Sequence, residues 1–438
     1  MSSVTMPTTP PTIDDPATAR RFRYWQLRTL IAAMFGYAAF YFVRKNLSFA
    51  MPDMEADLGI TKAALGGFLT LHGMLYGVSR FVNGMWADRA NPRYFMVAGL
   101  MLSVGANVFF GFSSTVLLLG VAWMINGWVQ GMGFPPVCRL MTHWFHPKKL
   151  ATYMSIWNTS HSIGAAVAGL FCAWIIHQGF GWRWCFFAPA MLCTAAGAIL
   201  FIMLRDTPSS VGLPEIVVEG MGETHNEDKT TSEYRAFVGK QVFRNRYIWL
   251  LCLANFFVYL LRFAVLDWGP TVLKELKGFS IMDAGIGVGA FEISGIVGML
   301  IAGWSTDRFF GGRGARTCVF CMLGAVGAML VFWKLAATPL TAGLCLAAAG
   351  FFIYGPQALI GITAANLATK RAAATAAGLT GFFGYASTTV SGWGLGMVVD
   401  RFGWHIGFGG LVAMGAIGTL MFILAWPAKA HGYGEASS

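Results

Sequence analysis

Charge is scarce in this chain. Asp, Glu, Lys and Arg make up 12% of its 438 residues, where a soluble domain carries roughly 25%, so a conventional solvated surface is excluded. Acid is scarcer than base: 20 Asp and Glu against 31 Lys and Arg leave a formal net charge of +11. A nucleic-acid partner would need those bases gathered into a patch or a domain. They are instead scattered over short segments between apolar runs, so no nucleic-acid partner is expected. No nucleophile–base pair and no cluster with metal-ligand spacing stands in the apolar stretches. The chain therefore reads as no enzyme, with no cofactor and no metal. The eight cysteines lie mostly inside apolar runs. Cys318 and Cys321 form a C-x-x-C without polar neighbours, which reads as buried, inert thiol. Nor does a cleavable signal open the chain. Residues 1–23 are rich in Pro, Thr and Asp, end on Arg20, Arg21 and Arg23, and read as a disordered tail.

What fills the chain is apolar: 56% of residues are hydrophobic, mean hydropathy is +0.58, and there are 54 glycines. This is the composition of packed membrane helices, where glycine lets backbones approach closely. A span needs about 20 apolar residues. Twelve such runs are readable, near 25–51, 60–86, 94–112, 115–144, 150–177, 183–204, 248–274, 281–305, 316–336, 340–367, 372–399 and 404–426. One long polar segment, 205–247, divides them six and six. Pro208, Gly212 and Pro214 interrupt it, Glu215, Glu219, Glu223 and Glu227 follow, and it reads as a flexible linker. The expected plan is a tail (1–23), a six-helix bundle (24–204), the linker, a second bundle (248–427) and a second tail (428–438).

Lys and Arg in short loops set orientation. Loops on the linker side carry nine: Arg89, Arg93, Lys148, Lys149, Arg308, Arg313, Arg316, Lys370 and Arg371. The other side carries six, Lys62, Arg183, Lys274, Lys277, Lys334 and Arg401, offset by Asp53, Glu55, Asp57, Glu275, Asp283 and Asp400. The linker and both termini are expected in the cytoplasm, and the chain in the inner membrane of a cell.

The halves repeat. Gly84-Met-Trp-Ala-Asp88-Arg89 returns as Gly303-Trp-Ser-Thr-Asp307-Arg308 at an offset of 219; Tyr41-x-x-Arg44 returns as Tyr259-x-x-Arg262 at 218; Pro136 of GFPP has a counterpart in Pro356 of YGP at 220. Three matches within two residues of one offset indicate a duplicated six-helix unit, and such repeats place a site at their interface.

Charges deep in a span are the sharpest functional signal, since an arginine at a helix centre costs about 2.5–3.5 kcal/mol on insertion scales. Arg44 and Arg262 occupy such positions, each with a tyrosine at i−3 on the same helical face. One reading is structural ion pairing, with Lys45 against Asp267 and Glu292 neutralising another cation. The other is a clamp, because two planar guanidinium forks match the oxygens of a phosphate. His161 sits in a polar patch with Trp157 and Asn158 one turn away, as a pore-lining group or a satisfied core histidine. Arg80, four residues after Tyr76, is a further cation in mid-span. Tyr354 and Tyr385 are either hydroxyl donors or packing. Asp88 with Arg89, and Asp307 with Arg308, stand at helix ends, where the acids can accept from helix-end amides and neighbouring arginines and latch one face shut.

At these residues the chain resembles the major facilitator superfamily, and within it the organophosphate:phosphate antiporters. The resemblance runs over nearly all of residues 24–427. It is carried by GYAAFYFVRKN (36–46), YGVSRFVNGMWADRANPR (76–93), QGMGFPPVCR (130–139), IWNTSHSIG (156–164), FVYLLRFAVLDWGPT (257–271), YGPQALIG (354–361) and GLTGFFGY (378–385). It implies an all-α membrane protein of twelve transmembrane helices in two pseudo-symmetric six-helix bundles. It also implies that Arg44, Arg262 and His161 bind a phosphoryl group, while Tyr37, Tyr41, Tyr76, Trp157, Asn158, Tyr259, Tyr354 and Tyr385 line the cavity. The family's glycerol-3-phosphate carriers have lysine where this chain has Arg80, tryptophan where it has Phe134, and a helix-10 histidine that is absent here. The charged pair of hexose-6-phosphate carriers in helix 11 is missing from STTVSGW (387–393). NPRYFM (91–96) is similar to the family's hexose-phosphate sensor. The expected function is exchange of an organic phosphate, glycerol-3-phosphate or a sugar phosphate, for inorganic phosphate by a monomer in the bilayer. The alternatives are a proton-coupled anion symporter and a sugar-phosphate sensor partnered by a membrane kinase.

Overall fold

A computed structural model describes residues 15–60, 62–216, 232–279 and 281–431, and all regular structure in them is helical. The helices are α1 (Pro16–Leu58), α2 (Lys62–Ala87), α3 (Pro92–Phe112), α4 (Val116–Gln130), α5 (Phe134–Trp144), α6 (Pro147–His177) and α7 (Trp184–Met203). After the linker come α8 (Ser232–Val238), α9 (Arg246–Glu275), α10 (Ile281–Phe309), α11 (Gly314–Leu335), α12 (Pro339–Leu367), α13 (Ala373–Ala386) and α14 (Leu395–Leu424).

Their starts follow local chemistry. Asp15, Asn91, His146 and Thr338 each cap a helix whose first turn begins with proline, where the missing N–H would have had no partner anyway. Among the described residues, ten segments are long and apolar enough to cross a membrane; α4 and α5 together make one of them. The break between those two falls over residues 131–133, just before Pro135 and Pro136, as the GFPP stretch suggests. Pro356, its repeat partner, sits inside an unbroken α12. Two more spans, α2 and the run from α13 through a π-helical turn (Val390–Gly394) into the start of α14, bring the total to twelve. The eleventh and twelfth meet at Gly403, whose φ of 78° and ψ of 169° suit only glycine. Large apolar side chains such as Leu117, Leu170 and Leu344 point outward, as a lipid-facing surface requires.

Three expectations about the ends and the linker need adjustment. The first helix starts at Pro16, within the segment read as a tail, because Asp15 accepts from Thr18 N and sets its first turn; residues 1–14 lie outside the described ones. The linker is not uniformly irregular. Tyr234, Val238 and Val242 bury one face of a helical stretch over residues 232–243, Tyr234 donates to Arg371 O, and Gln241 donates to Leu367 O. Residues 217–231, with Glu219, Glu223 and Glu227, lie outside the described residues. The second tail is docked as far as His431, whose backbone exchanges hydrogen bonds with the Asn366 side chain; residues 432–438 are outside.

Within the first half α1 packs on α6 and α7, and α2 on α4. In the second, α12 packs on α10 and α11, and α14 on α9 and α11. The halves meet where α2 lies against α13 and α6 against α10. Those two seams frame the site.

Candidate substrate-binding site

A cavity of about 550 Å³ lies between the halves. Its wall includes Tyr41, Arg44, Lys45 and Ser48 from α1, His161 and Ser162 from α6, Arg262 from α9, Glu292 from α10 and Tyr385 from α13. Three basic side chains therefore face one carboxylate. The wall continues along α1 to Phe49 and along α6 to Ala165 and Ala166, in both cases away from the linker, so the cavity opens toward the far face.

Each repeat-matched arginine is held differently. The Arg44 guanidinium carbon stands 4.0 Å from the centre of the Tyr76 ring, a cation–π contact, and one of its nitrogens donates to the Tyr385 hydroxyl at 3.3 Å. No carboxylate pairs with it within 4 Å among the described residues. Arg262 donates to the Tyr354 hydroxyl at 3.0 Å and lies 3.8 Å from Glu292, and Tyr354 in turn donates to Glu292. The sequence expectation that Glu292 neutralises a cation thus finds Arg262 as its partner. The expected pairing of Lys45 with Asp267 is not formed: Lys45 turns into the cavity, while Asp267 is exposed and outside its wall. Lysine's long stem lets the ammonium reach the cavity rather than a neighbouring helix. His161 donates from Nδ1 to the carbonyl of Asn158, and its Nε2 lies 3.3 Å from Ser162 Oγ at the cavity. That leaves Nε2 as the atom available to a ligand.

Five of the twelve residues expected to bind substrate, Tyr41, Arg44, His161, Arg262 and Tyr385, reach the wall. Tyr76 and Tyr354 grip the arginines from behind. The other five, Tyr37, Arg80, Trp157, Asn158 and Tyr259, are instead packed on the linker side as a floor, because the seams there are closed. Trp157 packs against Tyr37 with the rings tilted and 4.6 Å between centroids, the Tyr259 and Tyr385 ring centroids lie 5.6 Å apart, and Asn158 contacts Met299 Sδ across the seam at 3.6 Å. Arg80 is buried with its guanidinium 3.6 Å from the centre of the Phe134 ring. Gly381 makes room for it, since a Cβ there would come within 2.4 Å of Arg80 Nε. Ser48 in the wall escaped sequence reading, because a lone serine in an apolar run has no distinguishing signal, whereas Ser162 belongs to the polar patch around His161.

Below the floor the repeated G-x-x-x-D-R motifs do matching work on the two seams. Asp88, at the end of α2, accepts from Ala374 N at 2.9 Å, Thr375 N at 2.7 Å and Thr375 Oγ1 at 2.6 Å, in the first turn of α13. Asp307, near the end of α10, accepts from Thr152 N at 2.7 Å and Thr152 Oγ1 at 2.6 Å in α6. A carboxylate near a helix N-terminus is favoured by the partial positive charge there. The glycines four residues earlier allow the approach: a Cβ on Gly84 would lie 2.6 Å from Ala374 O, and one on Gly303 would lie 2.8 Å from Ala151 O. Arg89 is exposed beside the Tyr234 ring and Arg308 is exposed. Arg139 instead donates to the backbone carbonyl of Asp88 at 2.6 Å and to both oxygens of Asp206 at 3.0 Å.

The family model described as Major Facilitator Superfamily matches residues 33–392. The chain is 40% identical over 429 residues to the probable hexose phosphate transport protein of Chlamydia pneumoniae, covering 95% of this chain and 94% of that one. It is 38% identical over 426 residues to the glycerol-3-phosphate transporter of Bacillus subtilis (strain 168), covering 94% and 95%. Among solved structures, a major facilitator transporter, FucP, in the outward conformation superposes with a TM-score of 0.66 at 14% identity, covering 91% of this chain and 97% of that one.

Proposed function

The chain belongs to the major facilitator superfamily, a family of membrane transporters rather than enzymes, and from its site we propose that it exchanges an organic phosphate for inorganic phosphate by alternating access. One observation carries this reading: Arg44 and Arg262 enter a single cavity from opposite halves, with Lys45 beside them and one carboxylate against the three cations. A phosphate monoester dianion supplies the two negative charges that such a cavity lacks, and its oxygens suit the bidentate guanidinium fork. His161 Nε2 adds a donor when protonated. The relatives named for hexose phosphate and glycerol-3-phosphate support this substrate class. The linker face is the cytoplasmic one, by the excess of loop Lys and Arg on that side. Closed seams there and an open far side correspond to the outward-facing half of the cycle.

Counterflow tests this reading. Proteoliposomes loaded with inorganic phosphate are offered labelled glycerol-3-phosphate, glucose-6-phosphate or phosphoglycerate outside. Accumulation of at least one of them, lost without internal phosphate, is expected. Specific binding of a sugar phosphate without any counterflow would instead identify a sensor, and accumulation driven only by a proton gradient would identify a symporter.

A further inference from the structure

α1 does not run straight through the site. At Val43, one residue before Arg44, its backbone leaves helical values for φ −96° and ψ 16°. Neither proline nor glycine stands there, and a helix otherwise breaks where side chains intrude on its hydrogen-bond ladder. Here they come from two neighbouring helices. Asn107 on α3 and Asn126 on α4 each donate to Val43 O at 2.9 Å, and Gln130 on α4 donates to Phe40 O at 3.0 Å. The Leu47 N–H donates to Asn46 Oδ1 at 3.1 Å, and Asn46 Nδ2 donates to Asn107 Oδ1 at 2.7 Å and Cys185 O at 3.0 Å. Ser103 joins the set, donating to Asn126 and accepting from Gln130 at 2.8 Å.

All five of these side chains are buried, and none lines the cavity. Buried amides are unfavourable in an apolar bundle unless they are satisfied, and this set is directed at two carbonyls beside the break. Among the described residues the second half has no counterpart. Helix α9 runs unbroken through Leu261, and Arg262 is oriented by contacts of its own side chain with Tyr354 and Glu292. Arg44 has no acid within 4 Å to aim it among the described residues; beside its contacts with Tyr76 and Tyr385, its direction is set by its backbone.

We propose that Asn107, Asn126 and Gln130 are positioning residues for anion binding, which hold the break at Val43 and thereby fix the direction in which Arg44 enters the cavity. The proposal rests on the reading that Arg44 binds the anion. A guanidinium fork requires orientation, whereas a lysine ammonium is a point charge on a flexible stem. Removing the amides should therefore matter only while residue 44 is arginine.

The test is the affinity of the purified full-length protein for inorganic phosphate, by isothermal titration, in four backgrounds: the natural chain, Asn126→Leu, Arg44→Lys and Arg262→Lys, with Asn126→Leu then added to each arginine variant. Asn126→Leu is expected to weaken binding about 10-fold in the natural chain and in Arg262→Lys, but by less than about twofold in Arg44→Lys, as coupled residues do in a double-mutant cycle. Equal losses in the two arginine backgrounds, or no loss in the natural chain, would overturn the proposal. Gln130→Met, which keeps the volume and removes the donor to Phe40 O, carries the same comparison if Asn126→Leu does not fold. A natural chain that binds no phosphate would overturn the transport reading itself, and with it this one.

Discussion

Arg44 and Arg262 each set a mid-span charge one turn after a repeat-matched tyrosine, and each takes its partners from other helices. Glu292 and Tyr354 lie on helices distant in sequence from Arg262, and Lys45 looked like a pairing residue because nothing in the sequence separates a cavity-facing lysine from a buried one. Arg44→Lys and Arg262→Lys should each weaken phosphate binding by about 10- to 100-fold, since a charge-assisted hydrogen bond is worth about 1.5–3 kcal/mol and lysine lacks the fork. Titration of the purified variants checks this, and near-normal affinity in either would remove it from the clamp. Glu292→Gln should act oppositely. Removing the one carboxylate of the wall strengthens phosphate binding, and exchange continues. Loss of all transport in Glu292→Gln would mean that the carboxylate carries a proton, as a symporter requires.

The helices themselves were largely readable: twelve runs, a 6 + 6 division, and a break at GFPP all follow from hydropathy and proline. The break at Val43 was not, since the side chains that hold it belong to three helices and have no pattern in sequence. The floor formed by Tyr37, Arg80, Trp157, Asn158 and Tyr259 was read as cavity wall because residue type cannot report which side of a transporter is closed. The G-x-x-x-D-R motifs read as latches, yet their partners, the first turn of α13 and Thr152 in the second turn of α6, appear only in the fold. Gly84→Leu or Gly303→Leu should wedge a seam apart, because even a Cβ would sit below contact distance from the backbone opposite. The expected result is a shift toward the state open at the linker face, read as faster labelling of a Thr375→Cys probe from that side, with exchange slowed. Unchanged labelling would show that the seams do not gate. Asp307→Asn should shift the balance in the same direction but less, by about 1 kcal/mol or roughly fivefold in population, the worth of one hydrogen bond to Thr152.

In the proposed cycle the two halves rock against each other, and the balance is set by what lies between them. With the cavity empty, Arg44 and Arg262 repel by roughly 2 kcal/mol for a separation of about 8 Å and an effective dielectric of about 20. Closing the far side around nothing brings those charges nearer. A bound dianion turns repulsion into attraction, so in the proposed cycle the loaded carrier closes and reorients while the empty one stays open, which would make exchange obligatory. The measurement is uptake of labelled organic phosphate into vesicles prepared with and without internal phosphate, each with and without a proton uncoupler. Uptake that requires internal phosphate and ignores the uncoupler is the expected result. Rapid uptake into phosphate-free vesicles that collapses on uncoupling would contradict it.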